Sequence, residues 1–169
     1  MRSLRNYLSL LLLIAALPSK AGERVDESML LGNITNVTIE NLRGEVSVIG
    51  NSGDTVTVSG ELDDKAQGLT FERSGSRLII KVEVPNNSHN SWGEDGSDLT
   101  IVIPKHVRVS FKGVSSNINI SDFTHGSEIQ TVSGDINAKN LMQQVELATV
   151  SGNIESKNLS GKLRLSAVS

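Results

Sequence analysis

Three carboxylates, Glu94, Asp95 and Asp98, crowd into the polar stretch that follows Pro85, among glycine, serine and asparagine. Carboxylate oxygens set close together beside glycines are the donors that a hard cation such as Ca²⁺ takes. The same residues also make an ordinary solvated acidic loop, a reading that needs no ion. The nonapeptide that would repeat such a site along the chain, Gly-Gly-x-Gly-x-Asp, is missing. Asp135 stands alone in its register, with Asn117 before it and Asn153 after it. No metal site is expected beyond these three candidates. Trp92 lies in the same stretch and is the one binding candidate. An indole in a polar loop can stack on a sugar ring or anchor a partner, or it can fold back over the apolar interior.

Other reactive side chains are scattered. His89, His106 and His125 are far apart and lack ligand spacing. No phosphate-cradling glycine loop, metalloprotease helix motif or nucleophile elbow occurs, so no catalytic residue and no cofactor is expected. A β-helix enzyme acting on polysaccharides gathers carboxylates, or carboxylates with basic residues, in one groove. The nearest approach to that pattern is a file of Glu128, Glu146 and Arg164, with Lys139 and Lys157 in another file. Both files read as charges on a solvated face, and a glycan-active enzyme is kept as the alternative.

These residues must be positioned by short strands. The N-terminus is set aside first: Arg2 and Arg5 precede an apolar run from Leu8 to Leu17, then Pro18 and the small residues Ser19 and Ala21. Residues 1–21 read as a secretory signal peptide, too short for a stable transmembrane span. Its removal takes away Arg2, Arg5 and Lys20 and no acid, lowering the formal charge from -3 to -6. An acidic chain is a poor partner for nucleic acid or anionic lipid. The chain has no cysteine, so disulfides play no part. No later run is long and apolar enough to cross a membrane as a helix.

Residues 22–29 read as a polar lead-in. Beyond them apolar residues alternate with period two between clusters of Gly, Asn and Asp, the pattern of strands and tight turns. Leu78–Val84 and Leu99–Ile103 are strands closed by Pro85 and Pro104, since proline cannot donate to a ladder. A single helical turn is expected around Asp63 to Gln67. From Gly113 a unit of eighteen residues takes over: Val114-Ser-Ser-Asn-Ile118, Val132-Ser-Gly-Asp-Ile136, Val150-Ser-Gly-Asn-Ile154, and then Val168-Ser169. A fixed period means stacked units, none of which buries its apolar side alone. Four apolar files are expected inside: Ile118, Ile136 and Ile154; Ile129, Leu147 and Leu165; Phe123, Leu141 and Leu159; and Val114, Val132, Val150 and Val168. Gly134 and Gly152 are expected at corners that need an unusual backbone angle. The file Asp122, Asn140, Asn158 is expected to bond within and between rungs. Asn41-Leu-Arg-Gly-Glu-Val-Ser-Val48 echoes Asn158-Leu-Ser-Gly-Lys-Leu-Arg-Leu165, which extends the pattern to the early half. The expected fold is all-β: a parallel β-solenoid of eighteen-residue coils over 30–169, with irregular early coils. The repeat breaks off within a rung, and further coils are expected to follow in the natural protein.

The signal peptide, the Asn41–Val48 strand type, Leu99-Thr-Ile-Val-Ile-Pro104-Lys and the Val-Ser-Gly-Asp/Asn-Ile repeats together resemble a bacterial family of β-strand-repeat proteins, the "putative adhesin" domain of unknown function. The resemblance covers residues 30 to 169. It implies a solenoid-like β fold, export and an adhesive role, and it supplies no catalytic residues. The expectation is therefore an exported, non-catalytic adhesin or cell-envelope scaffold, in the periplasm or at the cell surface. Its partner would be a protein or glycan surface.

Overall fold

The computed structural model describes residues 22–85 and 96–168. Along them run twelve strands: β1 (Arg24–Leu30), β2 (Asn36–Asn51), β3 (Thr55–Glu61), β4 (Gly68–Ser74), β5 (Arg77–Glu83), β6 (Ser97–Pro104), β7 (Arg108–Phe123), β8 (Ser127–Thr131), β9 (Ile136–Leu141), β10 (Gln144–Thr149), β11 (Ile154–Leu159) and β12 (Lys162–Ala167). No helix occurs among the described residues. The turn expected as helical near Asp63 is held by that aspartate instead. Its Oδ1 accepts from Lys65 N at 2.8 Å, and its carbonyl accepts from Ala66 N at 2.9 Å, so a side chain replaces the start of a helix.

The two long strands β2 and β7 organise everything else. They pair in parallel from Asn36↔Arg108 to Ile49↔Ser121. On their first halves the sheet continues through β5 and β4 on one side and through β8, β10 and β12 on the other. On their second halves it continues through β6, β3 and β1, and through β9 and β11. The apolar sides of both branches share one core cluster.

The sheet is mixed, which corrects the expectation of a parallel solenoid across 30–169. The pairs β1–β3, β3–β6 and β4–β5 are antiparallel. Part of the reason is local. Ser74 pairs with Arg77 across Gly75-Ser76, with Gly75 at φ 62°, and a two-residue loop can only fold the chain back on itself. Residues 24–30 are themselves a strand, with Val25 opposite Gly60 and Met29 opposite Val56.

From β7 onward all pairing is parallel and the register is the sequence period. Ile118 stands beside Ile136 and Ile136 beside Ile154; Phe111, Ile129, Leu147 and Leu165 follow one another; so do Phe123, Leu141 and Leu159. All of these except the last-rung residues Ile154, Leu159 and Leu165 are fully buried. Each such side chain stabilises the fold by roughly 1.5–3 kcal/mol.

Two expectations about corners are corrected. Val114, Val132, Val150 and Val168 lie outside the core, 43%, 47%, 49% and 59% exposed. Thr131 and Thr149 face inward just before Val132 and Val150, and strand alternation then turns those valines out. Gly134 and Gly152 are not among the glycines with positive φ. They are needed for closeness: a Cβ on Gly134 would lie 2.1 Å from Ser116 O, and one on Gly152 2.1 Å from Gly134 O. Left-handed angles are found instead at Asp122, Asn140 and Asn158, at φ 68°, 54° and 56°, residue types that tolerate that region, and at Gln143, at φ 68°. The echo between Asn41–Val48 and Asn158–Leu165 is one of shape. Gly44 and Gly161 share φ near 105° and 104°, yet Val46 stands in register with Ile118 and Leu163 with Val145, in different branches.

Candidate functional site

The file Asp122–Asn140–Asn158 shows how stacked side chains become a ladder. Asn140 Nδ2 donates to Asp122 Oδ1 at 2.7 Å, and Asn158 Nδ2 donates to Asn140 Oδ1 at 3.0 Å. On the neighbouring corner Asn117 Oδ1 accepts from Asp135 N at 2.9 Å, and Asp135 Oδ1 accepts from Asn153 N at 2.7 Å. Asp135 is thus a structural acceptor. The amide of Asn140 and the hydroxyl of Ser121 hold the Asp122 carboxyl below its usual range, with Lys139 and Lys105 adding a smaller pull. Glu83 is lowered in the same way by Lys81, at 2.8 Å, and by the Thr70 hydroxyl, at 2.9 Å.

Of the metal candidates, Glu94 and Asp95 lie outside the described residues, as does Trp92. Asp98 is exposed on β6, level with Glu45 and Glu61 on the flanking strands. Its Oδ1 accepts from Glu45 N at 3.3 Å. No group of three or more His, Cys, Asp or Glu that could hold a metal occurs among the described residues. His89 lies outside them. His106 and His125 are exposed, and His125 Nδ1 lies 3.0 Å from the Thr124 hydroxyl.

The file Glu128, Glu146 and Arg164 is in register across β8, β10 and β12. Arg164 Nη1 reaches Glu146 Oε2 at 3.7 Å, and Gln130 Nε2 donates to Glu128 Oε1 at 3.0 Å. Arg164 offsets the charge of Glu146, and Glu128 is held by a neutral amide.

The other branch carries what the sequence reading missed. Across β2, β7, β9 and β11 two outward rows run side by side: Ser47, Asn119, Asn137 and Glu155, and Ile49, Ser121, Lys139 and Lys157. They line an open hollow of about 460 Å³. Asn119 Nδ2 is engaged by Glu45 Oε1 at 2.9 Å. Ile49 is 40% exposed, an aliphatic floor among polar neighbours. The period places Asn119 over Asn137 and Lys139 over Lys157, so half of the hollow was open to inference. Ser47 and Ile49 come from a distant strand and carried no such signal. A second hollow, of about 250 Å³, lies on the first branch beside Glu40, Lys81 and Lys112.

No protein-family model matches the chain, and no curated protein matches it. Several solved structures resemble it distantly. A "putative cell adhesion protein" from Clostridium sporogenes aligns at 7% identity over 86% of this chain and 100% of its own, with a TM-score of 0.43. A "putative lipid binding protein" from Parabacteroides distasonis aligns at 14% identity over 86% of this chain and 67% of its own, with a TM-score of 0.43. A "putative adhesin" from Bacteroides fragilis aligns at 12% identity over 86% of this chain and 96% of its own, with a TM-score of 0.41. Likenesses this distant assign neither a family nor a function.

Proposed function

We propose that this chain is an exported, non-catalytic β-repeat protein that acts as an adhesin or an interaction and scaffold module of the cell envelope. In this reading the rungs from β7 onward form a solenoid. Its partner is a protein or glycan surface, not nucleic acid, and it lies in the periplasm or at the cell surface. The observation that carries the reading is the outward face running β1-β3-β6-β2-β7-β9-β11, where mostly polar and charged side chains stand in register over a broad, open sheet. A surface of that kind suits repeated weak contacts with an extended partner. The signal-like residues 1–21 support export. No helix among the described residues is long and apolar enough to cross a membrane.

Glycan cleavage is the alternative. It calls for carboxylates that converge on one bond, whereas Glu128, Glu146 and Arg164 run in line. The test is a strain lacking the protein and one complemented with the full-length gene. Adherence to a surface or matrix is expected to fall in the first and return in the second. Fractionation and surface proteolysis are expected to find the chain outside the cytoplasm. Unchanged adherence and envelope integrity in the deletion strain would overturn the reading.

A further inference from the structure

Like charges stand in register at several places on this sheet, and nearly all of them are relieved. Glu146 has Arg164, Glu128 has Gln130, and Glu45 has the Asn119 amide. Glu61 stands opposite Arg24. Two places are exceptions: Asp98, between Glu45 and Glu61, takes only the Glu45 backbone N–H; the other is the pair Lys139 and Lys157. These lysines occupy the same register position on β9 and β11, about 4.8 Å apart along the ladder, where two like charges repel. Neither has an ion-pair partner among the described residues. Two carboxylates lie in their surroundings: Asp122, already engaged by Asn140, and Glu155, which lines the same hollow and makes no ion pair with either lysine among the described residues. Beside the lysines, Ser47 and Asn137 make no side-chain hydrogen bond among the described residues. Ile49 offers an apolar floor, and Glu155 ends the polar row, where it can accept from a hydroxyl.

We propose that this hollow, whose lining carries two lysines against the single carboxylate of Glu155 in a chain that is acidic as a whole, binds an acidic polysaccharide, a chain of pyranoses carrying carboxylates, laid across β2, β7, β9 and β11. The inference rests on the adhesive reading above and names the class of surface it would recognise. Lys139 and Lys157 take successive anionic groups, with the strand spacing as the ruler. Ser47 and Asn137 bond ring hydroxyls, and Ile49 packs under the C–H face of a sugar. A peptide is the poorer fit. Peptides join sheets by adding to an edge, through the backbone, whereas β2, β7 and β9 are paired on both sides and offer only side chains, leaving β11 alone with an open edge.

The test is titration calorimetry of the full chain with oligogalacturonate, with a neutral cello-oligosaccharide of equal length, and with poly-glutamate. The acidic sugar is expected to bind, weakening as salt is raised. The neutral sugar and poly-glutamate are expected to bind at least about tenfold more weakly. The K139Q/K157Q double variant is expected to lose at least about tenfold in affinity for the acidic sugar. Its melting temperature is expected to stay level or rise, because a repulsion has been removed, which separates binding from folding. The proposal is overturned by equal binding of the neutral sugar, by equal binding of poly-glutamate, by unchanged affinity in the double variant, or by no oligogalacturonate binding at all. A K139Q/K157Q strain that adheres normally, when the deletion strain does not, overturns this inference and leaves the adhesive reading standing. A deletion strain with no defect removes the adhesive reading, whatever the sugar does.

Discussion

The two halves of this protein build one core by different means. In residues 22–104 the chain reverses on tight turns, and three of the strand pairs are antiparallel. From Arg108 onward the chain advances one rung per period, and every pair is parallel. Early strands are held by one hairpin, β4–β5, and by antiparallel and parallel pairs between strands distant in sequence. Late strands are held by identical neighbours above and below, down to the amide that each corner lends the next. A repeat sequence is therefore unnecessary for this architecture. It is one way to satisfy it, and β2 and β7 are where the two solutions are joined.

The sharpest challenge to that comparison is to remove one buried aliphatic from each half. Ile101 and Ile136 are both fully buried. Ile101→Ala and Ile136→Ala are each expected to cost roughly 2–5 kcal/mol, in a single unfolding transition followed by urea denaturation. Two separated transitions would show that the halves do not share a core. Next come the glycines. Gly134→Ala drives a Cβ toward the Ser116 carbonyl, with no room along a stacked corner, and is expected to cost roughly 1–3 kcal/mol. Gly75→Ala meets nothing within 4 Å and carries only its φ of 62°, a cost of about 1 kcal/mol. If the order of the two is reversed, close stacking does not limit the late half.

In the Asp122–Asn140–Asn158 file, Asn140→Ala is expected to lose about 1–2 kcal/mol through its left-handed backbone and its two ladder bonds. Asn140→Gly should recover the backbone share. Equal losses in both variants would place the whole effect in the hydrogen bonds. The smallest effect is in acid. Asp122 and Glu83 both titrate below their ordinary values of 3.8 and 4.5 in the folded chain. A lowered folded value means stability that is present above the unfolded value and is lost as pH falls through the folded one. The advantage of the native chain over D122N should therefore shrink below about pH 3.8, and its advantage over E83Q below about pH 4.5. Molar salt should erode the Glu83 effect, which is led by the Lys81 ion pair, more than that of Asp122, which is led by an amide. Equal salt sensitivity in chevron or urea midpoints would count against that assignment.

Much of the late half was legible because a period constrains every rung alike. If Ile118 faces inward, Ile136 and Ile154 must too, and so it stands. The same logic misplaced the valine file. Periodicity says that equivalent residues share an environment, and it does not say which one; Val132 is apolar, yet corner geometry turns it to solvent. Gly134 was recognised as a corner residue for the wrong reason, since a short contact to another rung leaves no mark on local sequence. Part of the candidate hollow was similarly hidden, because Ser47 and Ile49 reach it through strand pairing alone.

What the amino-acid order determined alone was the all-β character and the step of the late ladder, because strand alternation and a repeated length are properties of neighbours along the chain. The tertiary structure decided the mixed sheet, the outward valines and the company kept by Lys139 and Lys157. Those depend on which distant strands share hydrogen bonds, and backbone groups that are alike in every residue carry no record of their partners.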